Sequence, residues 1–289
     1  MPFWFSALVV FVYGTIVGSF LNVCICRMPK DESVINPPSH CPKCNTRLRI
    51  PDLVPLFSFL ILGRKCRYCG EPIGWRYFTV ELITGLFLVA LHMKYQLSVD
   101  FFVFALFSAA LIAVFFIDLD HWIIPDQLSV FGMVLGISRD ILGLVTGEEG
   151  HVLMRIPVPF TSIDVPMLWS VAGLLICGAI FYGIAIFGEL AFKKEAMGGG
   201  DIKLAAAIGA VFCAYLTNSL GLGLALLSFF IAVFAGSVIG IGMKFIHRSG
   251  EKDNYLPFGP MMVIGVAVTM FLGKPIINAY MSYLMRGGI

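Results

Sequence analysis

The chain has 289 residues, of which 58% are hydrophobic and only 13% charged, and its mean hydropathy is +0.90. Soluble globular chains carry about 25% charged residues, so the composition excludes a soluble globular protein and points to an integral membrane protein. The net charge of +2 does not argue for a nucleic-acid partner, because membrane topology accounts for where the basic residues fall.

Apolar runs long enough to cross roughly 30 Å of hydrocarbon as a helix recur at 4–26, 78–93, 101–117, 126–146, 166–190, 202–217, 219–244 and 257–281. The expected fold class is therefore an all-α polytopic membrane protein with about eight transmembrane helices. The expected organisation is a first span over 1–26, a small cytoplasmic domain over 27–77 and a membrane-embedded remainder over 78–289.

The first apolar segment has no Lys or Arg before it and no small-residue cleavage pattern after it, while Arg27 and Lys30 follow directly. It is expected as a retained span and not a signal peptide. Threading eight spans from an outside N-terminus puts fifteen of the 20 Lys and Arg residues on the cytoplasmic side, including Lys193, Lys194, Lys203, Arg248 and Lys252. The other side receives Lys94, Arg139, Arg155, Lys274 and Arg286. This split follows the positive-inside rule.

Residues 27–77 are polar, rich in Pro and basic residues, and hold "CPKC" (Cys41, Cys44) and "CRYC" (Cys66, Cys69), two pairs separated by 21 residues. Two residues between thiolates form a tight knuckle that aims both sulfurs at one ion, and two knuckles complete a tetrahedral four-sulfur shell. Each pair is followed by Asn45 or Gly70, the residue types that most readily adopt the left-handed conformation such a turn needs. With every position filled by cysteine, none is left for water or substrate. The expected zinc is therefore structural and the domain zinc-ribbon-like, too small to rest on its own core. Two disulfides compete with this reading but are disfavoured in the cytoplasm, and a single iron suits the same spacing. Cys24, Cys26, Cys177 and Cys213 lie in apolar context and read as packing residues.

In the second span, "RYFTVELITG" places Glu81 near the cytoplasmic start, where it reads as an interfacial helix-terminal acid. The third span ends in "DLDHWIIPDQ" (Asp118 to Gln127), with three carboxylates in nine residues. On a helix Asp118 and Asp120 point about 200° apart, so they cannot both face one partner. Pro125 suits the first turn of the next helix, making Asp126 a first-turn acid. The polar insert 147–164 on the outer side carries no interpretable motif.

In "AMGGGDIKLAAAIGA" (Ala196 to Ala210), Asp201 falls at the cytoplasmic end of the sixth span, the membrane depth at which Asp118 ends the third. Taken alone, Asp201 reads as a helix N-cap after a flexible glycine loop. The glycines also let backbones approach closely and leave backbone groups free to pair with an extended chain. Two carboxylates roughly 3 Å apart share one proton, and such a pair activates water and protonates a leaving amine. Neither H-E-x-x-H nor G-x-S-x-G occurs, and the five histidines are scattered.

Almost end to end, the chain resembles the type IV prepilin peptidases, bifunctional aspartic peptidases and N-methyltransferases of the bacterial inner membrane. The marks are "GSFLNV" (Gly18 to Val23) with Arg27 and Pro29, "PPSHCPKC" (Pro37 to Cys44), "CRYC" with "RYFTVELITG", "IDLDHWIIPD" (Ile117 to Asp126), "GGGDIK" (Gly198 to Lys203) and "PFGP" (Pro257 to Pro260). The Gly-x-Gly-Asp signature alone also occurs in presenilin-like proteases. The resemblance implies that Asp118 and Asp201 are the catalytic pair, with Asp120 an accessory residue and the fallback. Gly198, Gly200 and Lys203 belong to the motif, and snorkelling to the cytoplasmic surface is the other reading of Lys203.

It further implies a prepilin or pseudopilin substrate of a type IV pilus or type II secretion system. The short basic leader is cut on the cytoplasmic side after a glycine, and the new N-terminal residue is methylated with S-adenosylmethionine. No glycine-rich loop of the soluble-methyltransferase kind marks a donor site. Cofactor-binding residues stay unassigned, with Glu81 as the candidate, either binding the new ammonium group or orienting the zinc domain. Asn22 and Arg27 are candidates for tying the first span to that domain. Three alternatives compete: a peptidase without methyl transfer, a cation transporter with intramembrane acids, and a zinc-ribbon scaffold whose aspartates are caps.

Overall fold

Hydrocarbon offers no partner for backbone polar groups, so an apolar run within it folds as a helix, and each of the eight predicted spans does. The computed structural model describes residues 2–148, 151, 153–157, 164–193, 197–246 and 257–286; Lys194, Arg248 and Lys252 of the predicted cytoplasmic set lie outside them. Two compact units divide the chain, residues 1–121 and 122–289.

The first unit contains α1 (Phe3–Arg27), α2 (Phe57–Ile61), α3 (Trp75–Tyr95) and α4 (Val99–His121), with the cysteine-bearing domain inserted between α1 and α3. Helices α1 and α3 pack backbone to backbone. A Cβ at Gly14 would lie 2.8 Å from the Cα of Gly85, and one at Gly18 would lie 2.7 Å from the Cα of Glu81. Gly14-x-x-x-Gly18 is thus a small-residue seam of the kind that joins membrane helices. Asn22 closes the same seam by donating from Nδ2 to the carbonyl of Tyr77 at 3.0 Å, and Arg27 donates to Ser33 O at 3.0 Å in the loop that leaves α1.

The second unit contains α5 (Asp126–Thr146), β1 (Met154–Pro157), β2 (Asp164–Met167), α6 (Trp169–Phe192), α7 (Gly199–Tyr215), α8 (Ser219–Ile246) and α9 (Gly259–Arg286). Among the described residues seven helices are long and apolar enough to cross a membrane. Helix α7, the counterpart of the sixth predicted span, is not among these seven: at 17 residues it is about 25 Å long at the α-helical rise, so seven of the eight expected spans are long enough to cross. Every residue from Leu204 to Ala214 is buried, and its small side chains admit neighbours closely: a Cβ at Gly173 of α6 would sit 2.4 Å from Gly209 O.

Strands β1 and β2 pair antiparallel, Met154 opposite Met167 and Pro157 opposite Asp164. This hairpin, from the end of the polar insert into the start of the next predicted span, is a small addition to a mostly helical fold. Pro157 and Pro166 disfavour a helix there, and two short strands pair instead. Side chains fasten the insert to α5: buried Arg139 bonds Glu148 at 2.8 Å and His151 Nε2 at 3.2 Å, and fully buried Asp140 accepts the Ser170 amide at 2.8 Å at the start of α6.

Candidate active site and metal centre

The two Cys-x-x-Cys segments fold by the same short-range bonds. The Cys41 amide donates to Thr46 O and the Asn45 amide to Cys41 O, at 3.0 and 2.9 Å; the Cys66 amide donates to Glu71 O and the Gly70 amide to Cys66 O, at 2.8 and 2.9 Å. Asn45 (φ +54°) and Gly70 (φ +73°) are both left-handed, as their residue types predict. Isolated bridges His40 to Arg47 and Lys65 to Pro72 close each turn.

The four sulfurs converge to within 4.8 Å of one another, with Cys41 and Cys69 Sγ 3.8 Å apart. Tetrahedral sulfurs about 2.3 Å from a zinc ion lie about 3.8 Å from each other, so the donor set fits the ion. No disulfide joins any of the four in this structure. The Thr46 hydroxyl and backbone lower the Cys44 thiol to about 6, and backbone amides of Cys69 and Tyr68 lower Cys66. Cys69 moves the opposite way. The Glu71 amide favours its thiolate, yet burial and hydrogen bonds with Cys66, Cys44 and Cys41 push it up to about 12. Four thiolates cannot share this space without a cation, which is the charge a metal supplies.

Asp52 joins the segments that carry the two knuckles. It accepts the Arg49 amide at 3.0 Å, Arg67 Nε at 2.6 Å and the Tyr68 hydroxyl at 2.9 Å. Covering by neighbours pushes its carboxyl up, but these donors, led by the Arg49 amide, hold it below the usual range.

Glu81 is buried on α3 and accepts the backbone N–H of Leu56 at 2.8 Å. Leu56 has φ +61° and ψ −49°, and the Phe57 amide bonds Pro55 O at 2.6 Å, which is a γ-turn, a strained conformation for leucine. The carboxylate therefore grips the small domain at this turn.

Asp118 and Asp120 follow their predicted angular separation. Asp118 is buried, whereas Asp120 is partly exposed and paired with Arg76, whose Nη2 also reaches Cys26 Sγ at 3.2 Å. Asp201 does not cap its helix. The cap is Gly198, extended at φ −70° and ψ 145°, and Asp201 is the third residue of α7, its amide bonded to Gly198 O at 3.1 Å. The N-cap reading is corrected accordingly: the cap is Gly198, three residues before Asp201, and the helix begins at Gly199. A Cβ at Gly200 would lie 2.9 Å from Cβ of Ile124, so the glycine is needed where this turn meets the "IIPD" segment. Lys203 does not simply snorkel, since its Nζ pairs with Asp126 Oδ2 at 2.6 Å.

Comparison with known proteins bears directly on these motifs. Residues 12–95 match the bacterial peptidase A24 N-terminal domain and residues 105–241 the type IV leader peptidase family. The chain is 30% identical over 274 residues to the prepilin leader peptidase/N-methyltransferase of Bacillus subtilis (strain 168), covering 95% of this chain and 97% of that protein. The chain belongs to the type IV leader peptidase family. A protein of the same name from Legionella pneumophila is 32% identical over 98% of this chain and 96% of its own length. That of Myxococcus xanthus (strain DK1622) is 35% identical over 82% of this chain, which spans 63% of the Myxococcus protein. No solved structure matches the chain significantly.

In this leader peptidase family member Cys41, Cys44, Cys66 and Cys69 fall in the N-terminal match and both candidate catalytic aspartates in the second. Three partner side chains escaped sequence reasoning: Asp52, Arg76 for Asp120, and Asp126 for Lys203. Only the first left a local signal, an acid three residues after Arg49 at the head of a turn.

Proposed function

We propose that the protein is an aspartic leader peptidase that removes the basic leader of a type IV prepilin or pseudopilin and then N-methylates the exposed N-terminal residue. The observation that carries this reading is the identity shared with prepilin leader peptidase/N-methyltransferases along nearly their whole length. Those names join both activities, so the peptidase-only and cation-transporter alternatives are not favoured.

Asp118 and Asp201 form the acid/base pair in this reading. One ionised carboxylate takes a proton from water as its oxygen attacks the scissile carbonyl, and the protonated partner gives its proton to the leaving nitrogen. The buried setting of Asp118 and the first-turn position of Asp201 support such a role, because exclusion of water strengthens charge interactions in the pair. Asp120, held by Arg76, is an accessory. Gly198, extended before the helix, leaves its backbone open to an extended substrate chain, Gly200 lets the turn pack on Ile124, and Lys203 fixes the motif through Asp126.

S-adenosylmethionine, the donor implied by the methyltransferase activity, supplies an electrophilic methyl group to the free amine. Glu81 remains a candidate for holding that amine, although its bond to Leu56 supports the orienting role. Cys41, Cys44, Cys66 and Cys69 hold a structural zinc. Residues 27–77 and the leader-cutting end face the cytoplasm of the inner membrane, and 78–289 form the peptidase part; the charge asymmetry along the sequence supports this orientation.

The test is co-expression with a prepilin, followed by mass spectrometry of the product. Asp118→Asn and Asp201→Asn should leave the leader attached, while Asp120→Asn yields a shortened product heavier by one methyl group. Normal processing by all three variants would overturn the assignment of the pair.

A further inference from the structure

The small domain exposes an apolar surface that the chemistry above does not use. In α2, Phe57, Leu60 and Ile61 occupy one stripe by their i, i+3, i+4 spacing, and they are 64%, 62% and 79% exposed. Phe59 points the other way. It is buried and packs on Trp75 and Phe78, at ring separations of 5.5 and 5.2 Å.

Those two aromatics fix the depth of α2. Helix α3 has 21 residues, about 31 Å, which only just spans the hydrocarbon core. Its first residue, Trp75, must therefore lie at the interface, the depth that tryptophan favours, with Phe78 about 4.5 Å further in. The Leu56 amide reaches further still, to the carboxylate of Glu81, whose Cα lies about 9 Å along the helix from Trp75. The tip of the domain is thus pinned below the level at which α3 enters the membrane. Directly after α2 the guanidinium of Arg64 lies 5.1 Å from the Trp75 ring centroid, followed by exposed Lys65. No carboxylate pairs with either cation among the described residues.

We propose that residues 53–62 are an interfacial membrane anchor: the acyl-chain boundary of the bilayer covers Phe57, Leu60 and Ile61, and anionic phospholipid headgroups meet Arg64 and Lys65. Apolar side chains beneath a basic rim are the pattern by which protein segments lie in the interface plane. The domain is then fastened to lipid as well as to α3, and Glu81 sets how deep its tip dips.

The test uses the full chain in vesicles of phosphatidylethanolamine and phosphatidylglycerol, with prepilin present. A benzophenone amino acid replaces Leu60 in one preparation and Ile35, 79% exposed in the loop after α1, in another. After irradiation, phospholipid adducts at position 60 should exceed those at position 35 roughly tenfold. Equal lipid labelling at the two positions, or labelling of prepilin in place of lipid at position 60, overturns the anchor. Arg64→Gln combined with Lys65→Gln should lower the phosphatidylglycerol share of the adducts toward its share of the vesicle. An unchanged share overturns the headgroup contact. Retained prepilin cleavage in each preparation shows that the chain is folded, and loss of the lipid adduct with cleavage intact counts against the anchor alone.

Discussion

The cysteine domain and the carboxylate-bearing helix ends use residues of similar chemical value but fix them over very different distances. Each knuckle is shaped by hydrogen bonds that span four or five residues, from Cys41 to Asn45 and Thr46 and from Cys66 to Gly70 and Glu71. The turn before Asp201 is instead shaped by Ile124 and tied to Asp126, far back in the sequence. The first region carries its geometry in its own letters and offers four sulfurs that a cation would hold together. The second borrows its geometry from packed helices and supplies charge itself. Removing the ion should therefore unmake structure, and removing a carboxylate should unmake chemistry.

Metal removal is the largest expected effect, because structural zinc contributes folding free energy outright in domains this small. Chelation, or Cys41→Ser with Cys66→Ser, should release the metal measured by elemental mass spectrometry and expose residues 40–73 to rapid hydrogen exchange. The interiors of α1 and α3 should stay protected, since the Gly14 and Gly18 seam does not involve the cysteines. Loss of protection in those helices as well would erase the contrast between the two regions.

Next in size is the carboxylate pair. General acid–base groups contribute about 10²- to 10⁴-fold in rate, so Asp118→Asn and Asp201→Asn should each slow leader cleavage by that order with hydrogen exchange unchanged. Asp120→Asn, which breaks a partly exposed ion pair with Arg76, should cost less than about tenfold. A structural collapse in either of the first two variants would assign that aspartate to folding.

What could be read before the structure follows from these distances. The left-handed Asn45 and Gly70, the converging sulfurs and the opposed faces of Asp118 and Asp120 depend on local periodicity, and the sequence states them. The eight helices were legible because hydrocarbon leaves the backbone no alternative. Three features were not. Asp201 as a capping residue was a sound local inference, but Gly198 takes that place, and nothing within the glycine run marks which residue starts the helix. The Gly14-x-x-x-Gly18 seam was present in the letters but needs Gly85 opposite it to be recognised. Asp52, Arg76 and Asp126 act on partners 15, 44 and 77 residues away, beyond the reach of any periodic pattern.

Glu81 sits between the two regimes, a carboxylate on a membrane helix that serves the small domain. Truncating it leaves the Leu56 N–H without its acceptor, a cost of about 1–3 kcal/mol for a buried donor. Glu81→Ala should speed hydrogen exchange over 53–58 and leave cleavage within about threefold of the wild type. Glu81→Gln keeps an acceptor oxygen and should restore most of the protection. A Gln variant that is fully protected, cleaves normally and fails only to methylate would assign the carboxylate to the new ammonium group instead.

Smaller again is Asp52. Its folded carboxyl lies below the usual range, so its stabilising contribution is complete above the unfolded value of about 3.9 and is lost as pH falls through the folded one. Asp52→Asn should cost less than about 1 kcal/mol at neutral pH, Arg67 being half exposed, and should flatten the acid dependence of hydrogen exchange in the knuckles below about pH 4. An unaltered acid profile would place the sensitive group elsewhere in the domain.

The smallest effect is expected at Lys203, and it tests the contrast most finely. Its ion pair with Asp126 joins two groups whose side chains are 47% and 60% exposed, and solvent screens such pairs to about 0–1 kcal/mol. Lys203→Met removes the charge and keeps the apolar stem, so cleavage should fall by less than about threefold, with the loss shrinking as salt is raised. Asp126→Asn should reproduce the same modest loss, and the double variant should show little more than either single one, because both changes break one bond. A fall of about a hundredfold in the Lys203 variant alone would move the lysine from bracing the "IIPD" and "GGGDIK" segments to the reacting carboxylates. In that case the division drawn between borrowed geometry and supplied charge would run through a single side chain of the motif.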